Sequence, residues 1–254
     1  MTESGSVFLG HSPKRFGDLA IAWTKSVPIA AAFLSLAFSV PGFVKTAHAA
    51  CSSKPAQGVD WAGCRTRNLL LSGNDLRQGK FRQTDFAASD MRMTKADAAD
   101  FTKAVLIRAV FDQASAREAI FDRAIGYRAS FQYVDLSDAV FRKSELTRVN
   151  FTGSTLTGAD FLKSDAGRIT LDRALMGNND FSYSNIARAD FRKAVIKGVI
   201  VVTGAFSFQA RFEGVDLTNF QGLQQRQVDM ACGNDATVLP EGLHRPARWS
   251  CPAQ

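Results

Sequence analysis

The chain has 254 residues, 46% of them hydrophobic, with a formal net charge of +7 and a pI near 9.4. It holds four cysteines and three histidines: His11, His48 and His244. So few histidines, two of them near the N-terminus, exclude a Ser-His-Asp, Cys-His or multi-histidine metal constellation, and no phosphate-cradling glycine loop is present.

Residues 1–49 read as a signal peptide. Lys14, Arg15 and Lys25 precede an apolar run from about Val27 to Val44, and Ala47-His48-Ala49 is a small-x-small cleavage site, with cleavage expected after Ala49. An uncleaved anchor is the alternative, but Pro28 and Pro41 bracket a run of marginal spanning length. Cys51 invites a lipoprotein reading, which the preceding His48-Ala49-Ala50 does not support, and Lys14-Arg15-Phe16 only faintly echoes a twin-arginine signal. Residues 50–68, with Cys51 and Cys64, form an N-terminal cap.

From 69 to 220 the chain repeats every five residues. The central position runs Leu71, Leu76, Phe81, Phe86, Met91 and onward to Phe191, Ile196, Val201 and Phe206. Two residues earlier stands a second inward candidate that is usually small, such as Ala104, Ala109, Ser144 or Ala189. A period of five is neither helical nor that of a flat strand, and a period held this strictly marks a repeat architecture. Sorted at twenty-residue spacing, the large residues fall into two series: Phe81, Phe101, Phe121, Phe141, Phe161 and Phe181, and Met91, Phe111, Phe131, Phe151 and Phe191. Smaller ones such as Gly126, Ala166, Ala96 and Ala116 fall in the two intervening series, so large and small residues alternate as close packing of a core requires. After Phe206 the register slips by one, so a bulge is expected near Ser207–Arg211.

Residues 221–254 form a C-terminal cap with Cys232 and Cys251. Residues 221–231 are expected to hold a short helix with Gly233 as its stop signal. Three pairings of the four cysteines are formally open. The two local ones, Cys51 with Cys64 and Cys232 with Cys251, fit best because the repeat separates the pairs, and an even cysteine count suits an exported chain. Their role would be to close the ends, where a stacked coil exposes unpaired strand edges.

The units read A-D-F-x-x, as in Ala159-Asp160-Phe161, Ala189-Asp190-Phe191 and Asn74-Asp75-Leu76. This pattern resembles the pentapeptide repeat family. The resemblance implies an all-β, right-handed quadrilateral parallel β-helix with four units per coil and about seven coils, a rod roughly 34 Å long at ~4.8 Å per coil. The leader around Gly58-Val59-Asp60-Trp61 is similar to that of exported bacterial members, and Leu239-Pro240-Glu241-Gly242-Leu243 to an end segment of the same group. The best-known members imitate duplex DNA to protect or inhibit DNA gyrase, a role that needs an acidic cytoplasmic rod.

The outward positions carry sorted charge. Two residues after the centre, one side gives Arg108, Arg128, Arg148, Arg168 and Arg188, and the adjacent side gives Lys103, Arg123, Lys143 and Lys163. The fourth side reads Glu118, Asp138, Gly158, Asn178 and Gly198 there. Two readings stand open. Either Asp122, Glu145 and Asp165 pair with the columns, or the columns form an anion-binding stripe. Beyond residue 49 the chain keeps 27 Lys and Arg against 22 Asp and Glu. The expected function is therefore a non-enzymatic, periplasmic or secreted scaffold with no cofactor or metal. Its partner would be a protein or an anionic envelope component, nucleic acid is not favoured, no spanning segment remains after signal cleavage, and the flat sides would suit a homodimer. The alternatives are a DNA-mimicking regulator of a topoisomerase, and a polysaccharide-acting enzyme using carboxylates such as Asp160, Asp180 and Asp190. For the enzyme, the repeat leaves no loop on which to build a site.

Overall fold

A computed structural model describes residues 50–251; the expected signal peptide lies outside them. Four parallel ladders run the length of this segment. One joins Asp60, Lys80, Asp100, Ile120, Val140, Asp160, Asp180, Val201 and Gln221 in succession. The others pass through Arg65 to Phe206, Leu70 to Cys232, and Asp75 to Val195. Each rung advances about twenty residues, so the chain winds as a four-sided coil. The first ladder begins at Asp60, inside the segment read from sequence as cap, and its eight steps at ~4.8 Å make a rod of about 38 Å. Trp61 is accordingly buried as the first central residue and packs 5.8 Å from Phe81.

The five-residue period follows from where the backbone groups go. The central N–H of Phe101 donates to the carbonyl of Ile120 one coil on, at 2.7 Å, and the Ile120 N–H donates back to Ala99 at 2.9 Å. At the turn, the Lys103 N–H reaches the Asp122 carbonyl at 2.8 Å, and the Ala104 N–H folds back to Phe101 at 2.9 Å. The remaining N–H, just after the centre, is taken by the side chain just before it: Thr102 donates to Asp100 Oδ1 at 2.9 Å, Leu162 to Asp160 at 2.8 Å and Ser182 to Asp180 at 2.7 Å. Asp or Asn before the central residue is thus a turn cap of the Asx type. Asp160, Asp180 and Asp190 are all occupied in this way.

The interior is columnar. Phe101, Phe121, Phe141, Phe161 and Phe181 stack with centroids 4.6–5.1 Å apart and planes within 5°. Phe111 and Phe131 stack at 4.7 Å in the facing column, and the two columns meet edge to face, as at Phe121–Phe131 (86°). Both arrangements are favoured geometries for aromatic quadrupoles. Serines at the small inward positions return their hydroxyls to the central carbonyl, Ser144 to Phe141 at 2.6 Å and Ser184 to Phe181 at 2.6 Å, which satisfies them on burial; the Ser164 hydroxyl is the exception, buried without a partner.

Five two-residue strands stand where the coil departs from strict period: β1 (Leu175–Met176), β2 (Asn179–Asp180), β3 (Val195–Ile196), β4 (Ile200–Val201) and β5 (Phe220–Gln221). β1 pairs with β3 at a spacing of twenty, but β2 pairs with β4 at twenty-one. The extra residue therefore lies within Lys197–Val199, before the expected site at Ser207–Arg211. This reassigns two residues. Val201 and Phe206 are not central but sit in the ladders, and Phe206 is 49% exposed; Val202, Ser207, Phe212 and Leu217 point inward instead. Ile200, Val201 and Val202 are all apolar, so hydrophobicity alone did not mark which of them turns inward. Asn179, buried opposite the slip, donates to the carbonyls of Leu156 (2.6 Å) and Ala159 (3.0 Å).

At the C-terminal end, helix α1 (Gln225–Met230) replaces one side of a coil. Gln227 is buried; its amide donates to Val202 and Ala205 carbonyls at 2.8 and 3.0 Å, and its oxygen accepts the Gln224 N–H at 2.9 Å. The helix ends at Ala231 in extended conformation, not through Gly233. Gly233 has a different reason to be glycine: a Cβ there would lie 2.5 Å from the Trp249 ring, which is buried and donates to the Val228 carbonyl. Disulfides Cys51–Cys64 and Cys232–Cys251, with Cα separations of 5.6 and 5.3 Å, tie down the two ends.

Candidate anion-binding side

The nine cations of the two columns occupy equivalent backbone sites. Each is the second residue of a turn and has a left-handed φ between 54° and 63°. Turns are the corners of the coil, so the columns run along two neighbouring corners and border one shared side. In the ladder between them stand Val105, Ile125, Glu145, Asp165 and Asn185. Eight of the nine are exposed and Arg188 is half-buried.

The ion pairs of the molecule avoid this arrangement. Arg82 pairs with Asp100 (3.1 Å), Arg142 with Asp160 (2.5 Å), Arg92 with Asp90 (2.6 Å) and Arg192 with Asp190 (2.6 Å). Among the described residues, none of Lys103, Arg108, Arg123, Arg128, Lys143, Arg148, Lys163, Arg168 or Arg188 lies within ion-pair distance of a carboxylate. The internal pairing through Asp122, Glu145 and Asp165 is therefore not made. Asp165 instead accepts from Thr147 (3.1 Å), Asn185 (2.9 Å) and the Gly167 N–H (3.2 Å); Asp122 Oδ1 is buried without a hydrogen-bond partner; Glu145 is exposed.

Aromatic rings hold part of the arginine column. The Arg128 guanidinium lies over the Tyr127 ring at 5.1 Å, and Arg148 reaches the Tyr127 hydroxyl at 3.4 Å. Arg188 lies 5.6 Å over Phe208 and donates to Gln209 at 2.8 Å. Rings under guanidinium groups hold them in place without neutralising them. Along the lysine corner a shallow trough of about 470 Å³ is lined by Arg82, Lys103, Arg123, Arg142, Lys143 and Lys163, with Asp122 the single carboxylate. Sequence reading missed Tyr127, Phe208, Arg82 and Arg142. All four occupy the turn position just after the centre; sorting that position at twenty-residue spacing would have found Tyr127, Arg82 and Arg142, while the extra residue at Lys197–Val199 takes Phe208 out of that register.

Titration shifts fall elsewhere. The Arg77 guanidinium hydrogen-bonded to Asp75 holds that carboxyl down at about 2, and Arg92 lowers Asp90 in the same manner. Burial raises Asp190, but its hydrogen bonds to Arg192 outweigh this and the net shift is downward. Among the described residues no group of three or more His, Cys, Asp or Glu is placed to hold a metal ion, and no helix is long and apolar enough to cross a membrane.

The family model of pentapeptide repeats matches in eight copies over residues 97–125, 104–142 and 127–161, the segment in which the ladders keep strict twenty-residue spacing. Over residues 97–161 the chain thus matches the pentapeptide repeat family. The family's fold is the right-handed quadrilateral β-helix, and its members are in general structural or binding proteins. Among curated proteins none matches the chain. Solved structures similar to this chain include HetL, a pentapeptide repeat protein involved in heterocyst differentiation regulation from the cyanobacterium Nostoc (18% identity, 76% of this chain and 96% of that one, TM-score 0.31). QnrB1, a plasmid-mediated fluoroquinolone resistance protein, is 22% identical over 70% of this chain and 88% of its own, with a TM-score of 0.32. A pentapeptide repeat protein of the Arabidopsis thaliana thylakoid lumen is 19% identical over 57% of this chain and 82% of its own, with a TM-score of 0.21.

Proposed function

We propose that this pentapeptide repeat protein is an exported, non-enzymatic scaffold that docks an anionic envelope component along its basic side. One observation carries the reading: two aligned columns of cations are unpaired among the described residues while other arginines of the same rod find carboxylates. Columns of like charge repel one another at ~5 Å spacing, even with screening, and a bound polyanion would relieve that repulsion. The two disulfides support an oxidising compartment. A duplex mimic would need carboxylates where these columns carry Lys and Arg. The carboxylates an enzyme would use are engaged in capping turns.

The test is binding of polyanions to the mature chain as a function of salt. Affinity should fall steeply with ionic strength, and Arg128→Gln, Arg148→Gln and Arg168→Gln together should abolish it. Unchanged affinity in that triple variant sinks the reading.

A further inference from the structure

The basic side ends in an aromatic platform. Phe206 and Phe208 stand with ring centroids 6.3 Å apart and planes within 11°, and they are 49% and 40% exposed. Tyr183, 63% exposed, continues the corner of Lys103, Arg123, Lys143 and Lys163, two residues before Asn185, the ladder partner of Phe206. The extra residue at Lys197–Val199 creates this platform. Without it Phe206 would be a core residue, and with it Phe206 faces outward in the very ladder that the two basic columns border.

Resting on the proposed docking of an anion, we infer that the ligand is a linear acidic polysaccharide lying along the rod axis, with one sugar ring seated on Phe206, Phe208 and Tyr183. Three features select this chemistry. The cations repeat along a straight line at about the coil spacing of ~4.8 Å, which suits an extended chain bearing one carboxylate per few ångströms. The side between the columns is not basic: its ladder carries exposed Glu145, an acceptor for hydroxyl groups, followed by Asp165 and Asn185, which are hydrogen-bonded to each other. An anionic bilayer would press its phosphates against Glu145, and a DNA backbone has no hydroxyl donors to offer it. Finally, Phe206, Phe208 and Tyr183 stand together at one end and Tyr127 is covered by Arg128, so free rings do not alternate with the cations as they would to stack successive bases of a single strand. An apolar ring face set beside a charged groove fits the C–H face of a pyranose whose neighbours carry the charge.

Three probes decide this on the mature, disulfide-bonded protein at fixed moderate salt: polygalacturonate, vesicles containing anionic phosphatidylglycerol, and a twenty-nucleotide oligothymidylate. The expected result is tightest binding to polygalacturonate, lost when its carboxylates are methyl-esterified. Phe206→Ser with Phe208→Ser should weaken that binding at least tenfold, and Tyr183→Ser should weaken it severalfold without changing its salt dependence. Melting curves of these surface variants confirm that they fold. Stronger binding to vesicles or oligothymidylate, or full affinity in the folded Phe206/Phe208 variant, overturns the polysaccharide assignment and leaves the basic side as an anion site of another class. Failure of all three probes to bind removes the anion-docking reading itself.

Discussion

The residue just before each centre shows how a single side chain sets the coil. Asp75, Asp85, Asp90, Asp100, Asp160 and Asp180 each accept the N–H two residues on, a donor with no other partner in the five-residue unit. At Asp75 and Asp90, where the arginine two residues on also closes back on the carboxylate, acidity increases. Asp75 titrates at about 2 when folded against 3.8 for a free carboxylate, so its contribution is complete above about pH 4 and disappears as pH falls toward 2. Acid unfolding followed by circular dichroism should therefore show a decline in this window that Asp75→Asn reduces. The amide keeps the turn cap, as Asn150 does for Thr152, but has no proton equilibrium there. Glycine matters at one of these turns as well. Gly153 has φ +66°, and a Cβ there would lie 2.5 Å from the Tyr133 ring, so Gly153→Ala should destabilise by ~1–3 kcal/mol in denaturant titration.

At the scale of the element, the sequence displayed its inward residues because packing demands Phe, Leu or Ala at fixed intervals. It also displayed the charge columns, because exposed residues two positions past each centre stack with the same period. It concealed the slip, since Val199–Val202 is apolar at every position, and it concealed the polar plugs where the coil breaks. Asn179 and Gln227 are buried amides that satisfy carbonyls from neighbouring turns, and neither looks like a core residue in a hydrophobicity pattern. Gln227→Leu would leave the Ala205 carbonyl without a donor and the Gln224 N–H without an acceptor, and the Val202 carbonyl with only the Ala205 N–H. We expect a loss of ~1–3 kcal/mol, the range for one buried group left unpaired, visible as a lowered midpoint in urea. Loss of the Asn179 amide should act in the same direction.

For the whole molecule, the ends decide whether one rod remains one rod. A parallel coil has open edges above and below, and here the disulfides hold a short segment against each. The Cys232–Cys251 link spans 19 residues and holds Trp249 against Gly233. Cys232→Ser with Cys251→Ser should cost ~3 kcal/mol by the loop-entropy estimate and, through the exposed edge, raise the apparent mass in size-exclusion chromatography. Intact-mass analysis of the native protein should find four hydrogens fewer than the reduced chain.

The four-sided winding also makes the surface a matter of counting. A side chain's neighbours along the rod are those twenty residues away, so five residues added between Arg128 and Arg148 would advance every later unit by a quarter turn. The new unit could be as regular as its neighbours, with a sound turn and an inward phenylalanine, and the rod would simply grow. Yet Arg148, Arg168 and Arg188 would move to a corner away from Arg108 and Arg128, and one stripe would become two fragments facing different directions. Stability in such a rod tolerates changes of five; recognition tolerates only changes of twenty. Length variation among relatives of this chain should then be quantised in whole coils wherever the basic side is in use, and in single units where it is not.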